Sequence, residues 1–208
     1  QVTSCRQFFE YMIDNNKPYY LENGGECADI IRNTNWDASL LGNFDNWPFA
    51  LKNTLALLLP AKFPMLLWWG EDLIQFYNDA YRPSLGIEGK HPTAIGQKAI
   101  DCWPEIWDFI SPLISEIKTT GNGVLFEDTL IPIYRDGKLD DVFWTFSYSA
   151  VRDEQNIIQG VLVVCNETTQ SVNYNKNIQE SKANLEFTLE AADLGTFDLD
   201  ARTGKFSA

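Results

Sequence analysis

One histidine, two methionines and four cysteines leave this chain of 208 residues poor in metal-binding side chains. The cysteines, Cys5, Cys27, Cys102 and Cys165, are scattered and form no Cys-x-x-Cys pair. That excludes the usual zinc spacings and leaves no disulfide framework, so a reducing, cytoplasmic setting is the simplest reading. Positive charge is also scarce. Sixteen Lys and Arg stand against 29 Asp and Glu, a net charge of −13. Nucleic-acid binders present a basic face to phosphate, so this balance argues against one. Apolar runs are short: Leu55–Leu59 falls far below the ~18–20 residues of a membrane span. No charged-then-apolar leader opens the chain. A Gly-rich ATP-binding loop is missing, and no nucleophile stands at motif spacing from a base. These residues are therefore expected to catalyse nothing.

What is abundant is core material. Apolar residues make up 45%, with 7 Trp, 8 Tyr and 13 Phe, enough for a packed interior. The stretch Phe63–Pro83, FPMLLWWGEDLIQFYNDAYRP, organises the rest. Met65–Trp69 is too short for an ordinary helix, Gly70-Glu71 offers a tight reversal, and Leu73–Tyr77 suits a pleated surface. Asn78 is a good N-cap for one short turn, which Pro83 is expected to stop.

Upstream, residues 1–25 read as an arm with one amphipathic helix, Cys5–Ile13. Cys27–Asn33 is a short helix candidate and Trp36 to Trp47 a loop. Pro48 suits the first position of a helix over Pro48–Leu59, apolar on most faces and so expected to be buried. Downstream, Ile106, Trp107, Ile110, Leu113, Ile114 and Ile117 make one helical stripe, opened by Pro104 and closed at Gly121. Pro112 is expected to split or kink it. Three strands follow. Val124–Tyr134 carries Pro132, Val142–Val151 alternates Trp144, Phe146 and Tyr148 with small polar residues, and Ile157–Cys165 reads as a central strand. The expectation is an α+β fold: a five-stranded antiparallel sheet with helices on one face, plus N-terminal helices and a C-terminal exit helix. Polar helix formers run on from about Thr169, with Ile178, Leu185 and Ala192 seven apart and Leu189 between. That spacing fits a coiled-coil seam or a surface helix equally well.

Several motifs carry a resemblance. Trp36-Asp37 with Leu41-Gly42, Trp47-Pro48, FPMLLWWG, FYNDAYRP, GKHPTAIGQ, DCWPEIWD, FWTFSYSAVRDE and GVLVVCNETT stand in order along the chain. Residues 26–172 resemble the N-terminal PAS module of bacterial sensor histidine kinases and hybrid kinases. The end, LEFTLEAADLGTFDLDARTGKFSA, resembles the start of a second PAS domain. The resemblance implies an arm at 1–25, a PAS domain with an N-terminal helical cap at 26–168, a signalling helix at 169–192 and a further PAS domain opening at 193–208. It implies a cytoplasmic sensory module of a two-component kinase. Such a module binds a small ligand, forms homodimers and controls downstream kinase domains of the same chain through its exit helix. The alternative is a ligand-free dimerisation module. No ligand follows from the fold name alone. Many such domains pair the acid of a terminal acidic-aliphatic-Thr motif with an Arg. Here Asn166-Glu167-Thr168-Thr169 stands in that region, and Ser171 occupies the Arg position.

For a ligand pocket the candidates are Tyr77, Tyr81, Trp103, Trp107, Phe126 and Trp144, since ligand sites are concave, apolar and sparsely polar. The alternative is that they fill the core. His91 lies in a Gly- and Pro-bounded loop and reads as an ordinary loop histidine. Cys102 lacks the neighbours of flavin-bonding PAS cysteines and reads as a buried thiol. Neither a haem motif nor a flavin motif is evident, so the cofactor is left open.

Overall fold

The central hairpin forms, but its reversal takes four residues, Gly70 to Leu73, with both of these at positive φ, so the second strand starts at Ile74 and not at Leu73; the other strands are added to it. The computed structural model describes residues 18–87, 89–191, 198–200, 202 and 205–207. The expected helix at Cys5–Ile13 and the Ala192 position of the heptad spacing lie outside them. The described residues up to Glu167 form one unit and those from Thr168 a second.

Strands β1 (Met65–Trp69) and β2 (Ile74–Tyr77) pair antiparallel, with Leu67 opposite Phe76. After the helical segments come β3 (Val124–Leu130), β4 (Ile133–Arg135), β5 (Lys138–Asp140), β6 (Phe143–Arg152) and β7 (Ile158–Glu167). Five of these make one antiparallel sheet in the order β2-β1-β7-β6-β3. The fold is α+β, with the element order that the PAS resemblance implies. As expected, β7 is central. Gly160 lets it approach β1, because a Cβ there would stand 2.7 Å from the Trp68 carbonyl and 3.0 Å from the Trp69 ring.

Helices α1 (Gly25–Asn33), α2 (Phe49–Leu58), α3 (Ala99–Cys102) and α4 (Trp107–Thr120) flank the sheet. The register puts Leu66, Trp68, Val163, Cys165, Phe146 and Tyr148 on one face. Ile110, Ile114 and Ile117 of α4 are buried beside that face. On the opposite face Trp36 and Trp47 pack on Phe76 with centroids 5.6 and 5.4 Å away.

Four expectations are corrected. Pro112 does not split α4, because it lies in the second turn on the exposed side, where the Asp108 carbonyl it releases meets water. Pro83 does not stop the turn after Asn78, which runs Asp79–Leu85 as a 3-10 helix. One missing N–H is a small loss there, and the Pro83 carbonyl accepts from Gly86 N–H at 3.2 Å. Helix α2 is not buried throughout: Leu51, Leu55 and Leu58 are, but Leu57 is 76% exposed. The strand read through Val124–Tyr134 ends at Leu130, and a separate β4–β5 hairpin follows, turning at Asp136-Gly137, both with positive φ. That pair of left-handed residues is what a tight primed turn requires. The loop between Trp36 and Trp47 also holds two one-turn 3-10 helices, capped by the Asn35 and Asn43 side chains.

In the second unit, α5 (Thr169–Ala191) has no buried residue. Short strands β8 (Asp198–Asp200) and β9 (Lys205–Ser207) pair with each other. Among the described residues no helix is long and apolar enough to cross a membrane.

Candidate functional site

Between the inner sheet face and α4 lies a pocket with about 50 Å³ of open space. Leu66, Trp68, Trp144, Phe146, Tyr148, Val163 and Cys165 form its sheet wall. Ile106 and Ile110 at the start of α4, with Tyr81 and Trp103, form the facing wall. Ile131 and Ile133, on either side of Pro132, close one end. The period-two alternation of β6 places Trp144, Phe146 and Tyr148 together on this face.

Trp103 is held at its indole nitrogen and over its ring face. Its indole N–H donates to Gln75 Oε1 at 2.6 Å, and the same oxygen accepts from Trp68 Nε1 at 3.2 Å. Lys90 Nζ stands 4.0 Å over the Trp103 ring and 2.6 Å from Glu105 Oε1. Glu105 Oε1 also accepts from Tyr134 N–H at 2.9 Å, which ties the β4–β5 hairpin to this corner. Gln75 is fully buried, and its amide donates to the Ala94 carbonyl (3.4 Å) and to Cys102 Sγ (3.3 Å). Every polar group of Gln75 is thus used, as burial demands.

The remaining polar tips are different. The hydroxyls of Tyr81 and Tyr148 have no hydrogen-bond partner among the described residues, although both side chains are buried and line the pocket. Burial raises the Tyr81 phenol well above its ordinary value, with Cys165, Cys102, Tyr148 and Tyr77 adding to it. Burial raises Tyr148 likewise, and pushes the Cys165 thiol up to about 12. All three are neutral at pH 7. No charged residue lines the pocket.

Of the six residues expected to line a ligand pocket, Tyr81, Trp103 and Trp144 meet in it. The other three do not reach it. Tyr77 is turned to His91, its hydroxyl 2.8 Å from Nδ1. Phe126 stacks on Phe146 with centroids 5.1 Å apart, and Trp107 is half-buried at the start of α4. Tyr148, Cys165 and Gln75 were not singled out from sequence. Tyr148 carried a signal, the β6 alternation. Gln75 carried none, because its role depends on two indoles from distant segments.

His91 lies 2.8 Å from the Tyr77 hydroxyl through Nδ1 and 3.4 Å from Glu26 Oε1 through Nε2. Cys102 is a buried thiol, raised to about 11 mainly by burial, with the Gln75 amide opposing. No cluster of metal-binding side chains occurs among the described residues. A larger, open cleft of about 650 Å³ runs past Arg82, His91, Arg135 and Lys138. Its cations are already engaged: Arg82 with Glu26 at 2.6 Å, Arg135 with Asp140 and Glu167, and Lys138 with Asp140 at 2.7 Å. Glu167, at the end of β7, is paired from within the same unit. Arg135 of the β4–β5 hairpin grips both its oxygens, at 2.9 and 3.3 Å.

No protein-family model matches the chain, and no curated protein matches it. Solved structures do. The PAS domain of Bordetella pertussis BvgS is 12% identical with a TM-score of 0.46, covering 64% of this chain and 97% of that one. A PAS domain from Colwellia psychrerythraea is 15% identical (TM-score 0.43; 58% and 98% covered). A sensory box sensor histidine kinase from Vibrio cholerae is 16% identical (TM-score 0.41; 56% and 89% covered).

Proposed function

We propose that the chain is a cytoplasmic PAS sensory module of a two-component histidine kinase, in which the pocket between sheet and α4 binds a small molecule. The observation that carries this reading is a pocket walled mainly by apolar and aromatic side chains, onto which Tyr81 and Tyr148 bring hydroxyls that have no partner among the described residues. These hydroxyls are not among the sealed, unsatisfied atoms of the fold, so they remain free to bond a molecule that enters the pocket. The pocket wall runs into β7, whose last residue, Glu167, directly precedes the segment that opens α5. A change in the pocket would thus reach the exit helix through a continuous strand, and from there the kinase domains of the parent chain. In this reading residues 26–168 are the sensor, 169–192 the signalling helix, and 193–208 the opening of a further PAS domain.

The test is a native mass spectrum of the freshly purified chain set against its denatured spectrum. A reproducible extra mass that is lost on denaturation is the expected result. A bare mass, together with amide resonances around the pocket that do not respond to xenon under pressure, would refute the pocket as a ligand site.

A second reading, the ligand-free dimerisation module, draws on α5. Tyr174, Leu185 and Phe187 are more than half exposed and Ile178 nearly so, and none of the helix is buried. Ile178 and Leu185 stand one heptad apart, as a helical seam needs. Light scattering on the eluting chain distinguishes the two: a bare dimer supports this reading, and a monomer at micromolar concentration removes it.

A further inference from the structure

We infer that the pocket is selective for a small, uncharged hydrogen-bond acceptor, with neutral carbonyl compounds as the chemical class. The inference rests on the reading of this pocket as a ligand site and adds to it what the ligand must be. Size comes first. An open space of about 50 Å³ is several times what one water needs and roughly a third of the ~150 Å³ apolar cavity that takes up benzene. A molecule of roughly three to five non-hydrogen atoms fills it.

Charge is excluded next. No acid, Lys, Arg or His is among the lining residues, and the nearest ionic pair, Lys90 with Glu105, is closed on itself at 2.6 Å. An ion entering such a wall would lose its hydration with nothing to replace it.

Hydrogen-bond polarity decides the class. The Tyr81 and Tyr148 hydroxyls and the Cys165 thiol can each donate. Trp144, also in the wall, has an indole N–H with no partner among the described residues, and indole only donates. The indoles of Trp68 and Trp103 are not available, since both donate to Gln75 Oε1. Gln75 Oε1 is therefore already committed. The phenol oxygens can accept as well as donate, but the Trp144 indole only donates, so a lone pair is the one feature that every polar group of this wall can meet. A carbonyl oxygen has two lone pairs to offer such donors, and its alkyl groups suit a wall that includes Ile110, Ile133 and Val163.

The test uses two probes of one shape. Acetone and isobutene differ by the replacement of a carbonyl oxygen with a methylene group. Each is titrated into the isotope-labelled chain, with affinity read from amide shifts around Tyr81, Tyr148 and Val163. The titrations are repeated on Tyr81→Phe, Tyr148→Phe and the double variant, whose retained amide dispersion shows that they are folded. Comparing the ratio of the two affinities removes the greater tendency of isobutene to leave water and the slight enlargement made by losing a hydroxyl. The expected result is that the acetone-to-isobutene ratio falls at least tenfold from the wild type to the double variant, with part of the fall in each single variant. A ratio constant within twofold, or isobutene binding with no acetone binding, would overturn the acceptor class while leaving the pocket as a ligand site. Failure of both probes to shift those amides would overturn this inference and the ligand-site reading together.

Discussion

Replacing Gln75 with Leu isolates the hydrogen-bonded knot behind the pocket. The side chain is wholly buried, and its one oxygen accepts from Trp103 Nε1 at 2.6 Å and Trp68 Nε1 at 3.2 Å. Leucine has a similar volume, so the substitution leaves little cavity and mainly removes the acceptor. Two buried indole N–H groups are then orphaned at ~1–3 kcal/mol each. The bonds from the Gln75 amide to Ala94 and Cys102 are lost as well. At 3.4 and 3.3 Å they are long, and the better solvation balance of Leu offsets them. The net expectation is about 2–4 kcal/mol, a large share of a typical domain stability of ~5–15 kcal/mol. With a urea dependence of ~1–3 kcal/mol/M, the unfolding midpoint should fall by about 1–2 M. Tryptophan fluorescence follows the transition, and far-UV circular dichroism checks that it is two-state. Hydrogen-bond asymmetry supplies a control. Removing a donor as well, in Gln75→Leu/Trp103→Phe, should restore at least ~1 kcal/mol relative to additivity. A Gln75→Leu midpoint within 0.3 M of wild type (a change of roughly 0.5 kcal/mol), or strict additivity in the pair, would refute this account of the knot.

Three further outcomes follow from other contacts. Asp79 caps α1 from 52 residues away, accepting from Cys27 N–H at 2.9 Å and Glu26 N–H at 3.0 Å, so Asp79→Ala should lower stability by ~0.5–2 kcal/mol. Burial raises the Asp79 pKa, but these N–H groups, the Cys27 thiol and Arg82 outweigh it and hold the carboxyl below 3.8. Its contribution is thus full above that value and fades as pH falls through the lower folded pKa, so urea midpoints of wild type and Asp79→Ala should converge in that acid range. Gly160→Ala should destabilise by ~1–3 kcal/mol, because the new Cβ meets the Trp68 carbonyl at 2.7 Å; a thermal midpoint within 1 °C of wild type would contradict that contact, since ~1 kcal/mol moves it by ~2–4 °C. Arg135→Gln should cost about 1 kcal/mol and speed amide exchange at Glu167, where the bidentate grip at 2.9 and 3.3 Å is lost; unchanged exchange there would show that the pair holds nothing in place.

Local chemistry was legible wherever one segment supplied its own reason. The hairpin, the β6 alternation and the Gly121 stop of α4 all depend on neighbours in sequence, and all three formed. Gly121 sits at φ 74° and its N–H returns to Ile117 at 2.8 Å, a conformation glycine adopts without strain. Pro112 was misread because its cost depends on which side of α4 it faces, and that is set by packing. The β4–β5 hairpin was missed because three-residue strands carry almost no periodic signal.

Asn78 shows where the boundary lies. Its role as an N-cap is local and readable, and Oδ1 accepts from Tyr81 N–H at 3.1 Å. The same buried side chain also donates to Leu58, Ala61 and Phe63 carbonyls and accepts from Met65 N–H. Those bonds come from the end of α2 and the entry to β1, and no spacing rule forecasts them. So it is with the pocket. Sequence by itself determined that Trp144, Phe146 and Tyr148 would share a sheet face, and that the chain carries neither a metal-binding nor a catalytic motif, but not what would cover that face. Only tertiary structure decided which aromatic residues meet. It turned Tyr77 toward His91 and Phe126 onto Phe146, committed Gln75 to two indoles, and left Tyr81 and Tyr148 facing one small space without partners. The physical reason is that periodicity assigns a side chain to a face, whereas hydrogen-bond satisfaction depends on atoms brought together from segments far apart in the chain.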